Sequence, residues 1–480
     1  MKRKTDRHEN SATDSFADGF AKIEVQEGVL WGSQTQRSLL NFDIGRQRFD
    51  SVFIDALVHI KRASAKANLS SGVLSSEYCV AIQFACDEVL KGKHSDQFPL
   101  RVWQTGSGTQ TNMNVNEVIA SLANRYLMKS RQVQTPDTKP AIHPNDHVNM
   151  SQSSNDVFPS AMHIVVAQLS HHSLLPAIER LELELATKQT EFEGIYTVGR
   201  THLMDAIPLA AGAIFSAYCS QLKSAKVAIE ESLREVYQLA LGGTAVGSGA
   251  NAPVGFGKQA VALLAKKYQQ PFVQNPNLYA GVSGEDALLR FSGATKQLAA
   301  ALFKMANDFR LLGSGPRCGL NEWRLPANEP GSSIMPGKVN PTQCEALSMV
   351  CLQVFGNDHT VSLAASNGHL QLNTYRPVII YNIIESVALL TDVMISFSEN
   401  CVHNLKLNRT QIDDNMRNGL SIITLLAPTL GYEVAAKIVR EADQNNLSLS
   451  CAAETLGLYS QIEFESMLAE HLIVDDREGV

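Results

Sequence analysis

The sequence predicts a mostly α protein organised around a central bundle of unusually long helices, and two observations carry that prediction. Apolar residues recur every three or four positions through stretches longer than an ordinary globular helix. Alternating, strand-like runs are few and short. With 480 residues, 44% of them hydrophobic, the chain has enough material for a large core and more than one domain.

Taken in order, residues 1–20 ("MKRKTDRHENSATDSFADGF") are basic but contain no apolar segment. They read as a disordered tail, not a signal peptide, and their acidic content argues against a mitochondrial presequence. Residues 21–158 read as an N-terminal mixed, mostly helical domain. Residues 159–408 form the expected long-helix domain. Within it Ile164, Leu169, Leu174, Ile178, Leu181 and Leu185 keep the helical period between Ser160 and Tyr196. Ala206–Leu241, Ala287–Leu312, Thr342–Ala365 and Val378–Leu405 read the same way, with prolines mainly at their edges. Composition changes near Asn408. The shorter segments Thr410–Leu430, Tyr432–Glu441 and Cys451–Leu456 then indicate a small C-terminal helical domain over 409–480.

The charge balance narrows the partners. A net charge of −7 with no basic run excludes nucleic acid, whereas a local cluster of cations and amides still suits a small anion. Eight cysteines are scattered without metal-finger or C-x-x-C spacing, as expected of free thiols in a reducing, cytoplasmic compartment. The most apolar stretch, Val378–Phe397, contains Asn382, Glu385 and Asp392, too polar for a membrane span.

Polar, glycine-rich segments punctuate the helices: Gln104–Asn116, His143–Asp156, Gly199–Asp205, Gly242–Asn251 and Gly315–Pro341. They are richer in Ser, Thr, Asn and His than turning requires. "GSSIMPGKVNP", Gly331 to Pro341, looks at first like a phosphate loop. However, five residues separate its first glycine from Gly-Lys, and Val339 stands where Ser or Thr is needed. His143 and His147 are four apart, but the turn residues Pro144, Asn145 and Asp146 lie between them and no third ligand is near, so no metal is expected. Neither a G-x-S-x-G elbow nor a strand-borne G-x-G-x-x-G occurs. What remains is proton chemistry without a cofactor. Hydroxyls and amides would hold carboxylates, and a lysine with backbone N–H groups would hold developing negative charge. His202, crowded by Arg200, Thr201 and Asp205, is a candidate acid–base group.

Several of these segments together carry a resemblance. "TGSGTQTNMNVNE", "HPND", "SQSSNDVFP", "GRTHL", "GGTAVGSG", "GPRCGLNE" and "GSSIMPGKVNP" occur in the order found in the fumarase/aspartase superfamily. From about Phe20 to near the C-terminus the chain closely resembles the class II fumarate hydratases. Aspartases are similar but typically read Ala at Gly337 and "STNDAYP" at the second motif. They make an ammonia-lyase the alternative reading.

The resemblance implies a three-domain fold whose central helices assemble into a tetrameric helical core, with active sites shared between subunits, no cofactor, and a dicarboxylate substrate. By the same match Ser332 is the general base. Lys338 and Asn340 hold the carboxylate that becomes dianionic, and His202, oriented by Glu345, handles the water. Ser107, Thr109, Ser153, Ser154, Asn155 and Thr201 bind substrate carboxylates. The turn holding His143, Asn145 and Asp146 corresponds to a second dicarboxylate site. Three positions depart from the family pattern: Met204 replaces the usual Gln, His147 an acidic residue, and Gln371 a Glu.

Overall fold

The computed structural model describes residues 13–17, 22–131, 141–331 and 334–474. Its fold is mostly α, as the periodicity predicts. Ser154–Leu169 continues through one turn of π-helix, Ser170–Leu174, into Leu175–Glu191. Ala211–Val236, Asp286–Leu312, Thr342–Ser366 and Arg376–Phe397 are helices of 22 to 27 residues. Among the described residues the strands pair into four two-stranded sheets, with two isolated bridges, Arg48 to Arg101 and His369 to Leu372, besides.

The chain divides into two compact units. The first comprises Met1–Leu175, Val227–Gln297 and Gln353–Leu389; the second comprises Pro176–Lys226, Leu298–Leu352 and Leu390–Val480.

In the first unit, helices Ser51–Ser70, Ser76–Leu90, Thr109–Ser130 and Ser154–Leu169 pack on one another, and Phe256–Tyr268 lies against Ser51–Ser70. Local chemistry fixes where they begin. Asp50 and Ser75 accept backbone N–H groups of the first turns they precede. Ser153 and Asp156 form a reciprocal capping box at the start of Ser154–Leu169. Pro159, inside that helix, has no N–H to give the carbonyl of Asn155. Arg376 supplies it instead, its Nη1 donating to Asn155 O at 2.7 Å, so one buried guanidinium repairs the gap the proline makes. Its Nε donates to Glu285 at 2.5 Å and its Nη2 to Val282 O at 2.5 Å.

The helix Arg376–Val402 is long and apolar enough to cross a membrane by length and composition, with a mean hydropathy of 1.8. Its Asn382 and Ser386 are buried, however: Asn382 Nδ2 donates to Val378 O at 2.7 Å, and Ser386 Oγ accepts from Asn357 Nδ2 at 3.0 Å. Polar groups satisfied within the protein are what a core helix requires.

The second unit packs its own aromatic core. Phe215 stacks on Trp323 with centroids 5.1 Å apart, and Phe309 meets Trp323 edge-on at 4.8 Å. Towards the C-terminus Ile422, Leu426, Ile438, Leu449 and Phe464 form a further apolar cluster.

Three local expectations are corrected. Ala206–Leu241 is not helical throughout: Met204–Ala210 is a strand paired with Tyr196–Thr201, and the helix begins at Ala211. Pro208 disfavours helical backbone at Ile207, and pairing with the preceding strand then outweighs the apolar period. Thr410–Leu430 is broken after Asn418 by Gly419 into a helix, a 3-10 segment and a last short turn. Within the expected tail, Thr13–Ala17 pairs antiparallel with Lys22–Gln26; residues 1–12 and 18–20 lie outside the described residues.

Candidate functional site

In the first unit two helix starts lie side by side. Thr109 opens one helix after Gly108, whose φ of +73° and closeness to Phe158 admit only glycine: a Cβ there would sit 2.1 Å from the ring. The hydroxyls of Ser107 and Thr109 are 2.7 Å apart. Ser154 opens the other helix, and its Oγ accepts from Asn112 Nδ2 at 3.0 Å, a strap between the two. Ser153 Oγ accepts the N–H of Asn155 at 3.2 Å, and Asn155 Nδ2 donates to Ala245 O at 2.8 Å. Ser107, Thr109, Ser153, Ser154 and Asn155 are thus gathered at two positive helix ends, an arrangement suited to carboxylate oxygens.

A layer beneath holds these residues in place. Asp156 Oδ2 accepts the N–H groups of Gly242 and Thr244, each at 2.9 Å, docking the loop Gly242–Asn251. Lys61 Nζ donates to Asn149 Oδ1 at 2.8 Å and Gln152 Oε1 at 3.1 Å. Burial lowers the Lys61 pKa to about 7, with Asp156 pulling it back up. Burial raises that of Asp156 against its backbone hydrogen bonds. Sequence reasoning missed Lys61, which sits in an apolar helical run, and missed Arg376 and Glu285, whose contacts span 91 residues or more. The only signal was a cationic residue amid apolar periodicity.

In the second unit Thr201 ends one strand and Met204 begins the next, so His202 and Leu203 form the two-residue tip of a hairpin. Both have positive φ, 57° and 62°, the pairing a type I′ turn demands. Non-glycine residues there cost on the order of 1 kcal/mol each. His202 is exposed at this tip, and beside it Leu203 and Met204 are 72% and 69% exposed. The hairpin is anchored by Arg200, whose guanidinium donates twice to the buried carboxylate of Glu322.

The Gly331–Pro341 segment folds back on itself. Gly331 N–H donates to Lys338 O at 2.9 Å, and Asn340 Nδ2 donates to Gly331 O at 2.8 Å. A side chain at Gly331 would strike Lys338 O at 2.3 Å. Lys338 is exposed, and Glu345 is exposed in the first turn of Thr342–Ser366. Ser332 lies outside the described residues. Among the described hydrogen bonds and ion pairs, none joins His202 to Glu345 within the single chain.

The turn at His143 is a single turn of π-helix, Pro144–Val148, beside a cavity of about 450 Å³ lined by Trp31, Glu117, Asn124, His143 and Asn145. Asp146 N–H and carboxylate both lie 3.2 Å from His143 Nδ1. His147 accepts the His143 N–H at 2.9 Å and packs edge-on against Tyr78, so this departure from the family pattern closes the turn.

Comparison with known proteins follows the same lines. A family model described as "Lyase" matches residues 21–356, and one described as "Fumarase C C-terminus" matches residues 422–471. The chain is 52% identical over 448 residues to a class II fumarate hydratase of Pseudomonas aeruginosa, covering 93% of this chain and 96% of that one. The chain belongs to the class II fumarate hydratase family. Another relative, from Rickettsia felis, is 48% identical over 97% of this chain and 99% of its own. The fold matches the crystal structure of a class II fumarase from Schistosoma mansoni with a TM-score of 0.92, at 41% identity, covering 97% of this chain and all of that one. A fumarate lyase:delta crystallin from Brucella melitensis matches with a TM-score of 0.91 at 36% identity, over 96% of this chain and 99% of that one.

Proposed function

We propose that the protein catalyses the reversible anti addition of water to fumarate, giving L-malate, as a metal-independent hydro-lyase. The observation that carries this reading is the pair of helix starts at Thr109 and Ser154, strapped to each other by Asn112, with the Ser107 and Thr109 hydroxyls paired at the first. Their side chains, with those of Ser107, Ser153 and Asn155, hold one carboxylate, and Thr201 contributes from its hairpin. Ser332 takes the C3 proton of malate. The electrons move into the adjacent carboxylate, whose extra charge Lys338 and Asn340 stabilise. Hydroxide leaves from C2 as water, protonated by His202 with Glu345 fixing the imidazole tautomer. The His143, Asn145 and Asp146 turn is a second dicarboxylate site.

The working form is a cytoplasmic homotetramer with sites shared between subunits. Helix Thr342–Ser366 supports this with exposed Met349, Leu352, Gly356 and Leu363 at successive steps of three, four and seven residues, a heptad-like spacing that suits a helix–helix seam. A second copy of the chain is the partner this seam fits. The domains 21–158, 159–408 and 409–480 remain the division we propose.

The test is the ultraviolet absorbance of fumarate formed from L-malate with no metal added. Activity abolished by a chelator and restored by iron would reject the reading. Ammonia released from L-aspartate in place of this activity would make the protein an ammonia-lyase.

A further inference from the structure

Helices Ser51–Ser70 and Phe256–Tyr268 line a cavity of about 260 Å³ that none of the motifs described above contributes to. Its walls carry Arg62, Lys66, Lys266 and Lys267, with His59 and Leu264 at its base. Lys66, Lys266 and Lys267 are exposed, and none of the ion pairs among the described residues engages them. Arg62 is partly balanced by Asp87 at 3.3 Å and Gln83 at 3.1 Å. Lys266 and Lys267 in the last turn of their helix are favoured there by its dipole. The dipole does not explain why Arg62 and Lys66 face them in a chain of net charge −7.

His59 supplies an independent observation. Its Nδ1 is buried with no hydrogen-bond partner, and its ring is held edge-on by Tyr268 at 5.3 Å. Burial, then Lys267 and Arg62, push its pKa down to about 4. A neutral imidazole therefore stands beside Lys267 and Arg62, and an anion seated among these cations would offset the repulsion between them.

We propose that this cavity binds a small polyphosphate anion, held by Arg62, Lys66, Lys266 and Lys267 over the ring of His59. Three unpaired ammoniums and a guanidinium exceed the charge of a dicarboxylate, and lysine ammoniums serve phosphate oxygens as point charges. Both helices lead to the candidate active site. Lys61, next to Arg62, holds Asn149 and Gln152, and Phe256–Tyr268 follows the loop whose N–H groups hold Asp156. An anion that clamps the two helices bears on the segments carrying Ser153 and Asn155.

Calorimetric titration of the full chain with inorganic tripolyphosphate, at ionic strength fixed with potassium chloride, tests the proposal. Wild type binds, and Lys266→Met/Lys267→Met and Lys66→Met each weaken binding at least tenfold. Citrate binds at least tenfold more weakly than tripolyphosphate, and saturating fumarate displaces neither. In the unmodified protein, tripolyphosphate slows acetylation of Lys66, Lys266 and Lys267 but not of the exposed Lys129. Equal affinity in wild type and both variants, unchanged acetylation, displacement by fumarate, or citrate binding as tight as tripolyphosphate would each overturn it. None of these readouts depends on turnover, so they stand apart from the assignment of the reaction.

Discussion

Glu322 grips Arg200 through paired bonds of 2.6 and 3.0 Å, two residues ahead of His202 in the chain. The same carboxylate accepts from Thr197 Oγ1 at 3.2 Å and Asn415 Nδ2 at 2.7 Å, and the Glu322 carbonyl accepts the Asn408 N–H at 2.8 Å. One buried acid thus ties the strained hairpin to the segment beginning the C-terminal helices. The relationship is structural, and it sets where His202 is presented.

Arg200→Met leaves that carboxylate buried without its cation. The cost expected for breaking such a pair is about 3–5 kcal/mol of stability. Turnover should fall as well, because the tip loses its anchor. Urea unfolding and steady-state rates check this together. A variant losing under about 1 kcal/mol while keeping its turnover would show that Glu322 does not position the hairpin.

Lys61 gives a prediction in pH. Its folded-state pKa is lowered from 10.5 to about 7. The unfolded chain therefore binds more protons between those values, and stability rises with pH across that window. Below pH 7 the penalty of burying the charge is fully present, and above about 10.5 it is gone. From pH 7 to pH 9, wild type should gain roughly 2 kcal/mol relative to Lys61→Met, one pKa unit being about 1.4 kcal/mol. Urea midpoints of both proteins at the two pH values measure it. Parallel curves would mean that Lys61 is not depressed.

The contrast between these groups shows what the sequence makes legible. Long helices such as Asp286–Leu312 and Thr342–Ser366 follow from the spacing of apolar residues, a local signal. The strand Met204–Ala210 does not, because Ile207 and Leu209 fit a helical period equally well and only pairing with Tyr196–Thr201 decides. In the candidate site, hydroxyl-rich motifs mark Ser107, Thr109 and Ser153 directly. Asp156 stands within the same motif, yet its role depends on the N–H groups of Gly242 and Thr244, more than 80 residues away. Groups that contact the solvent-facing site are written in motifs. Groups that brace it are chosen by tertiary distance, and a single chain gives no local sign of them.

Ser332→Ala should lower turnover on the order of a hundredfold or more, the range for loss of an acid–base group. The KM for L-malate should move far less, since the residues assigned to hold carboxylates remain. Turnover within a few-fold of wild type would place the base elsewhere.

Shared sites give the last prediction. The hairpin tip projects His202 into solvent beside exposed Leu203 and Met204, and Lys338 is likewise exposed. If each site takes its hairpin from one subunit and its Lys338 segment from another, two inactive variants can complement. His202→Asn and Lys338→Met proteins, mixed, dissociated and reassociated, should form hybrid tetramers in which some sites combine two intact segments. Activity should then return to a fraction of wild type, while each parent treated alone stays inactive. The result depends on geometry and not on either residue's detailed role, because a site closed within one chain always carries one of the two defects. Native mass spectrometry of differently tagged parents establishes that hybrids have formed. Hybrids present without regained activity would assign both segments to a single subunit and remove the shared site from the model.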